Sequence, residues 1–204
     1  GVTRVVNFAH GSFFMLGAYV AWSVFQWMPR DPLPFAAGIL LTALAVGAIG
    51  AGVEMLLLRR IYRAPELFQL LATFGVVLVV QEVALYVWGP ADHTLPRPRW
   101  LRQGFDILGQ RFPAWDLYLV FVGPAVLGLL WLLFTRTRFG TLVRAATEDR
   151  EMVAALGVDQ KRLFTLVFAL GAALAGLGGA IALPSGSANL QMDLAVIADA
   201  FVVV

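Results

Sequence analysis

Five stretches of apolar residues, each nearly free of charge, restrict what this chain can fold into more than any other feature. Residues 8–28, 117–134 and 163–183 contain no Asp, Glu, Lys or Arg; residues 34–58 contain only Glu54, and residues 67–88 only Glu82. A hydrocarbon layer about 30 Å thick is crossed by roughly 20 helical residues, and every stretch is of that order. Lipid offers backbone groups no hydrogen-bond partners, so long apolar runs without strand-like alternation must satisfy them inside helices. The chain is therefore expected to be all-α, a polytopic transmembrane helical bundle, with a further helix starting near residue 194 and running to 204. Its charged fraction of 14% against 60% hydrophobic residues is far from the roughly 25% charged of soluble domains. The chain opens on Gly1 and stops inside the apolar run Ala200-Phe201-Val202-Val203-Val204. Both ends are read as cuts in a longer protein, and the span count as a lower bound.

The net charge of +2 does not point to nucleic acid, because the basic residues flank the apolar stretches. If each stretch crosses once, ten of the 15 Lys and Arg residues fall on one side, in 1–7, 59–66 and 135–162, and five on the other, in 29–33 and 89–116. The positive-inside rule then places 135–162 in the cytoplasm and 89–116 outside. The outer segment holds Pro90, Pro96, Pro98 and Pro113. Its Leu108-Gly109-Gln110 turn is expected to close a small hairpin, and the segment to form an ordered cap over the outer mouth. With no cysteine in the chain, disulfides and thiolate metal sites are excluded.

The cytoplasmic connection is more structured than a linker requires. Leu142, Ala145, Ala146, Met152, Val153 and Leu156 can line one face of a helix, with Arg144, Glu148, Arg150 and Glu151 on the other and Thr147 and Asp149 beside them. Gly157 stands where a left-handed cap would end this helix, and Asp159 where the next would be capped. A helix lying on lipid carries mostly Lys and Arg on its polar face. The mixed charge here suits a protein partner, so 144–157 is expected to be a docking loop.

Polar residues inside the apolar stretches are the candidates for chemistry. Asn7 and His10 open the first stretch: either Asn7 caps the helix and His10 bonds a carbonyl at the interface, or the pair marks a broken helix beside a substrate path. Gln81 and Glu82 either line a path and bond between helices, or Glu82 reaches the outer interface by extending along the helix. Glu54, one turn before Arg59 and Arg60, reads as a structural ion partner. Gly171, Ala175 and Gly179, with Gly176 and Ala180 adjacent, form a ladder of small residues that lets helices approach closely, and Gly47 with Ala51 repeats it. There is no phosphate-binding glycine loop, no HExxH, and no Cys/His cluster.

Several runs carry a resemblance. These are Arg4-Val5-Val6-Asn7-Phe8-Ala9-His10-Gly11 with Phe14-Met15-Leu16-Gly17-Ala18-Tyr19; Tyr62-Arg63-Ala64-Pro65-Glu66-Leu67 with Leu70-Leu71-Ala72-Thr73-Phe74-Gly75 and Gln81-Glu82; the stretch from Phe139-Gly140 to Gly157-Val158; and Asp193-Leu194 with the apolar end. In this order they resemble the LivH-like membrane permease subunits of bacterial branched-chain amino-acid ABC importers. The resemblance implies an inner-membrane transport subunit with no cofactor of its own, ATP and Mg being used by partner ATPases. It implies a second permease subunit, two cytoplasmic ATPase subunits and an extracytoplasmic substrate-binding protein as partners. It also implies that a first helix before Gly1 and the C-terminal part belong to the whole protein. Arg144-Ala145-Ala146-Thr147-Glu148-Asp149 departs from the Glu-Ala-Ala pattern of ABC importers generally. The translocation-path candidates are Asn7, His10, Gln81 and Glu82; the docking candidates are Arg144, Ala145, Thr147, Glu148, Asp149 and Gly157. Related permeases carrying urea or short amides leave the cargo open, and an intramembrane enzyme using His10 and Glu82 or a passive scaffold are the readings of a different class.

Overall fold

The structure, a computed structural model, describes residues 8–29, 31–62, 64–107 and 110–203. Its elements are α1 (Ala9–Trp27), α2 (Pro32–Val53), a π-helical turn (Glu54–Leu58) leading into α3 (Arg59–Ile61), α4 (Glu66–Trp88), β1 (Gly104–Ile107), β2 (Gln110–Pro113), α5 (Ala114–Arg136), α6 (Arg138–Glu148), α7 (Arg150–Ala155), α8 (Gln160–Ala182) and α9 (Met192–Val203). This is an all-α bundle with one hairpin among the described residues. Proline marks several starts: Pro32 occupies the first turn of α2, Pro65 precedes α4 and Pro113 precedes α5, positions where a missing N–H and a fixed φ cost nothing.

Four helices among the described residues are long and apolar enough to cross a membrane: Pro32–Ile61, Leu67–Trp88, Ala114–Arg136 and Gln160–Ser185. The first of these is longer than the 34–58 stretch because the π turn carries the helix on without a break. By composition α1 is not one of the four, since His10, Ser12, Tyr19, Ser23 and Gln26 dilute it. It is nonetheless well enclosed, with Ala9, Phe13, Met15, Ala18, Tyr19 and Ala21 all buried. Inside the bundle one of its hydroxyls is bonded twice: Ser23 Oγ donates to Tyr19 O at 3.1 Å and accepts from Trp88 Nε1 at 2.7 Å.

The centre of the bundle is the contact of α8 with α1 and α2. Backbones meet there so closely that a Cβ on Gly179 would lie 1.9 Å from Phe14 O, and one on Gly17 would lie 2.2 Å from Gly176 O. Small residues make this packing, as the sequence suggested, with Ala172 added to the expected set and Gly171 left off the buried face. Ala172, Ala175, Gly176, Gly179 and Ala180 are buried, whereas a Cβ on Gly171 would meet nothing. On α2 the close residues are Gly47 and Gly50, against Ala173 and Ala172, and Ala51 is only half-buried. Without a hydrophobic force between helices in lipid, this interdigitation is what holds them.

Connections collect at two ends, as single crossings require. One end is a cap. Phe25 stacks on Phe35 with ring centres 5.0 Å apart, Phe35 meets Trp115 edge-on at 6.1 Å, and Trp115 Nε1 donates to Ser185 Oγ at 2.6 Å. His93 and Ala188 exchange backbone bonds of 3.0 and 2.8 Å, tying the segment after α4 to the one before α9. The hairpin pairs Gly104 with Pro113 and Ile107 with Gln110, so Gln110, expected in the turn, opens β2; Leu108 and Gly109, the rest of the expected turn, lie outside the described residues, as do Arg4, Arg30 and Arg63 of the charge argument. The other end carries α6 and α7, and Arg59 there reaches Lys161 O at 3.5 Å.

Candidate functional site

Two turns below the cap, three helices converge on one carboxylate. Gln81 precedes Trp88, at the cap end of α4, by about 10 Å of helical rise. Its Nε2 donates to Asp193 Oδ2 at 2.8 Å, and Asp193 Oδ1 accepts from the Leu194 N–H at 2.7 Å. Asp193 is 0% exposed and sits in the first turn of α9, where the helix dipole favours a negative charge. α1 closes the third side: a Cβ on Gly11 would lie 2.4 Å from Asp193 O, so only glycine lets the chains approach this far. Ser12, next along α1, is buried, and its hydroxyl has no hydrogen-bond partner among the described residues.

The expected path residues divide. Gln81 belongs to this cluster. Glu82, expected to face the interior with it, is exposed, because one residue along an α-helix turns a side chain by about 100°. His10 is exposed too. Asn7 lies outside the described residues, and the residue at the N-cap of α1 is Phe8, which makes no side-chain capping bond. Sequence reasoning passed over Asp193 as a site residue, treating Asp193-Leu194 only as a helix start. An acid opening an apolar run is the signal that could have found it, since an intramembrane carboxylate must have a partner.

At the opposite end a second buried carboxylate is held by polar side chains from α3, the turn after it and α8. Glu54, 0% exposed, is the first residue of the π turn. Arg59 Nη2 lies 3.5 Å from its Oε2, Tyr62 Oη donates to Oε1 at 3.1 Å, and Thr165 Oγ1 donates to Oε2 at 2.5 Å. Arg59 Nη2 also donates to Thr165 Oγ1 at 2.7 Å. The ion pair with Arg59 was legible from spacing; the partnership with Thr165, 111 residues away, was not.

The expected docking helix is two helices. α6 is capped by Thr137, whose Oγ1 accepts from Gly140 N at 3.2 Å, and the corner behind it is tight: a Cβ on Gly140 would lie 2.1 Å from Phe134 O. Arg144 Nη1 donates to Phe134 O. α6 stops at Asp149, whose extended backbone breaks the helix and whose Oδ1 caps α7 by accepting from Met152 N at 3.0 Å. Gly157 ends this unit at φ +79°, and Asp159 Oδ1 caps α8 by accepting from Arg162 N at 3.2 Å, both as expected.

Because the break at Asp149 resets the helical phase, the expected apolar face does not survive as one surface. Val143, Ala146, Val153 and Leu163 are buried together, flanked by Phe134, Phe139 and Leu142. Ala145, Met152 and Leu156 point outward, the last two 59% and 75% exposed. They share the outer surface with Arg144, Thr147, Glu148 and Asp149, all exposed. The Gln81–Asp193 cluster and this unit lie at different depths, and α8 runs from the unit, where Leu163 packs, to α1, where Gly179 meets Phe14.

Comparison with known proteins places these features in a family context. Residues 1–204 match the family model described as branched-chain amino acid transport system / permease component. Among curated relatives, the chain is 25% identical over 189 residues to the high-affinity branched-chain amino acid transport system permease protein LivH of Salmonella typhimurium, covering 89% of this chain and 61% of that protein. It is 27% identical over 196 residues to BraD of Pseudomonas aeruginosa, with the same description, covering 89% and 62%. It is 28% identical over 193 residues to a probable branched-chain amino acid transport permease protein LivH of Methanocaldococcus jannaschii, covering 88% and 57%. The chain thus spans about three fifths of the length of the relatives it matches. No solved structure matches it.

Proposed function

The chain belongs to the family of branched-chain amino acid transport system permease components, and from that premise we propose that it is the membrane-spanning part of an ABC importer for branched-chain amino acids. In this reading it forms half of a translocation path with a second permease subunit, in a bacterial inner membrane. Two cytoplasmic ATPase subunits hydrolyse ATP with Mg, and an extracytoplasmic binding protein delivers the substrate at the cap end. The end bearing α6 and α7 is cytoplasmic. The supporting observation is the α6–α7 unit itself: it is packed against Leu163 of α8 in one apolar cluster, carries side-chain caps at Thr137 and Asp149, and turns Met152 and Leu156 outward among mixed charges. Rigid apolar anchors ringed by polar groups are what a protein partner grips. Candidate path residues are Gln81 and Asp193 at mid-depth, with His10 and Glu82 on exposed faces open to a partner subunit.

The docking test is made in the intact complex. Met152→Glu with Leu156→Glu places two charges where apolar anchors stand and is expected to reduce ATPase co-purification at least about tenfold, a change of about 1.4 kcal/mol. Glu148→Lys is expected to weaken assembly in a salt-dependent way. Asp149 is a poor choice for charge reversal, because its loss would uncap α7 at a cost of about 1 kcal/mol and confound contact with folding. Wild-type assembly and substrate-stimulated hydrolysis in both variants would make this unit a surface feature and sink the reading. Leucine uptake by the wild type, competed by isoleucine and valine but not by urea or acetamide, is the expected cargo result.

Orientation has its own test, helped by the absence of cysteine. In intact cells Asp106→Cys is expected to react with an impermeant maleimide and Thr147→Cys to react only after lysis. The reverse pattern would invert the topology.

A further inference from the structure

We propose that Glu54 is a positioning residue that carries movement of the α6–α7 unit into α2; the inference rests on the coupling role proposed above and names the residue that performs it. Three consecutive residues at the start of α8 face three different neighbours. Leu163 packs with Val143, Ala146 and Val153 of the docking unit. Phe164 meets the ring of Tyr62 edge-on at 6.1 Å. Thr165 donates to Glu54 at 2.5 Å and accepts from Arg59 at 2.7 Å. A displacement of the docking unit that tilts this first stretch of α8 must therefore either drag Glu54 with it or break a buried polar network.

The far side of the network is built to yield. Glu54 opens the π-helical turn, a local departure from α-helical bonding of the kind that recurs at functional positions. The network is also unsaturated: Arg59 Nε is buried with no hydrogen-bond partner among the described residues, and the Glu54–Arg59 separation is 3.5 Å, at the long limit for a charged hydrogen bond. The short bonds run through the Thr165 hydroxyl instead. The single Thr165 O–H has a second acceptor in reach, Lys161 O at 2.9 Å, so it can exchange partners as α2 and α8 shift, giving the discrete alternatives that switching elements need. Structural stability alone would be served as well by apolar residues of similar volume, since buried ion pairs contribute little net energy.

The test uses the intact permease–ATPase complex in proteoliposomes with substrate-loaded binding protein. Thr165→Val keeps shape and removes the hydroxyl; Thr165→Ser keeps the hydroxyl. Thr165→Val and Glu54→Gln are expected to retain ATPase co-purification and basal hydrolysis while substrate transported per ATP falls at least about fivefold, the lower bound of ordinary coupling. Thr165→Ser is expected to restore the ratio. Should Thr165→Val fail to accumulate, Tyr62→Phe, which leaves the ring against Phe164 and removes only its hydroxyl, supplies the same readout with a smaller loss. If the variants that assemble all transport at the wild-type ratio, Glu54 is a static clamp and the inference falls while the importer reading stands. If the wild-type complex itself binds no ATPase, that reading fails and takes this one with it.

Discussion

Gly179→Val is expected to prevent α1 and α8 from closing on each other, and Gly171→Val, the same change two turns earlier on α8, to be nearly silent. At position 179 the new Cβ would lie 1.9 Å from Phe14 O and 2.9 Å from Ala18 N, both backbone atoms. No rotamer change relieves such a contact, so the helices must separate along the central contact of the bundle. Overpacking of this kind costs about 3 kcal/mol, equivalent to a lowering of Tm by about 6–12 °C in a domain of this size. At 171 nothing stands within 4 Å of a Cβ, and the side chain enters open space. Thermal aggregation followed by fluorescence size-exclusion chromatography in detergent compares the two directly. Equal Tm values would mean that α1 and α8 do not meet as described.

The second large effect is expected at mid-depth, where Gln81→Leu removes the side-chain donor to Asp193 Oδ2. The carboxylate stays buried, held by the amide of its own helix, and leaving such a charged acceptor short of a partner costs about 2 kcal/mol. Asp193→Leu alone is expected to cost a similar amount, because the Gln81 amide is then left unpaired among apolar neighbours. The double variant is expected to lose less than the sum of the singles, by about 1–2 kcal/mol, as groups in direct contact do. Glu82→Leu, one residue along on an exposed face, is expected to leave Tm unchanged. Strict additivity of Gln81→Leu and Asp193→Leu would show that the two side chains are not partners, and would remove the convergence of α1, α4 and α9 from the candidate path.

Cost differences of this kind show how far the chain could be read in advance. That it forms a helical membrane bundle follows from the length and purity of the apolar stretches, since a backbone in lipid has few ways to satisfy itself. Gly157 and Asp159 were legible as caps because capping is a contest between a side chain and the few amides beside it. The pairing of Glu54 with Arg59 was legible for the same reason of nearness. The hairpin could be placed because its turn residues lie between short extended pieces, and the observed strand register agrees apart from Gln110.

What the chain alone could not decide is which way each helix faces. α4 carries apolar residues on every side, so no period in its sequence distinguishes the side of Gln81 from that of Glu82; contact with α1 and α9 makes that choice. The same holds for α8, where Gly171, Ala175 and the small residues around them offer several equivalent ladders, and only the shapes of Phe14, Gly17 and Val46 select Gly176 and Gly179. The segment around Asp149 looked like one continuous helical face because periodicity counts residues and does not see the backbone leave the helix. Local chemistry, acting over a few residues, determined the membrane-spanning class, the caps and the nearest ion pair. The rotation of each helix, the burial of Asp193 and the long-range bond from Thr165 to Glu54 were decided by packing, because in lipid helices are held by shape and by buried polar partners rather than by the pattern of their own apolar residues.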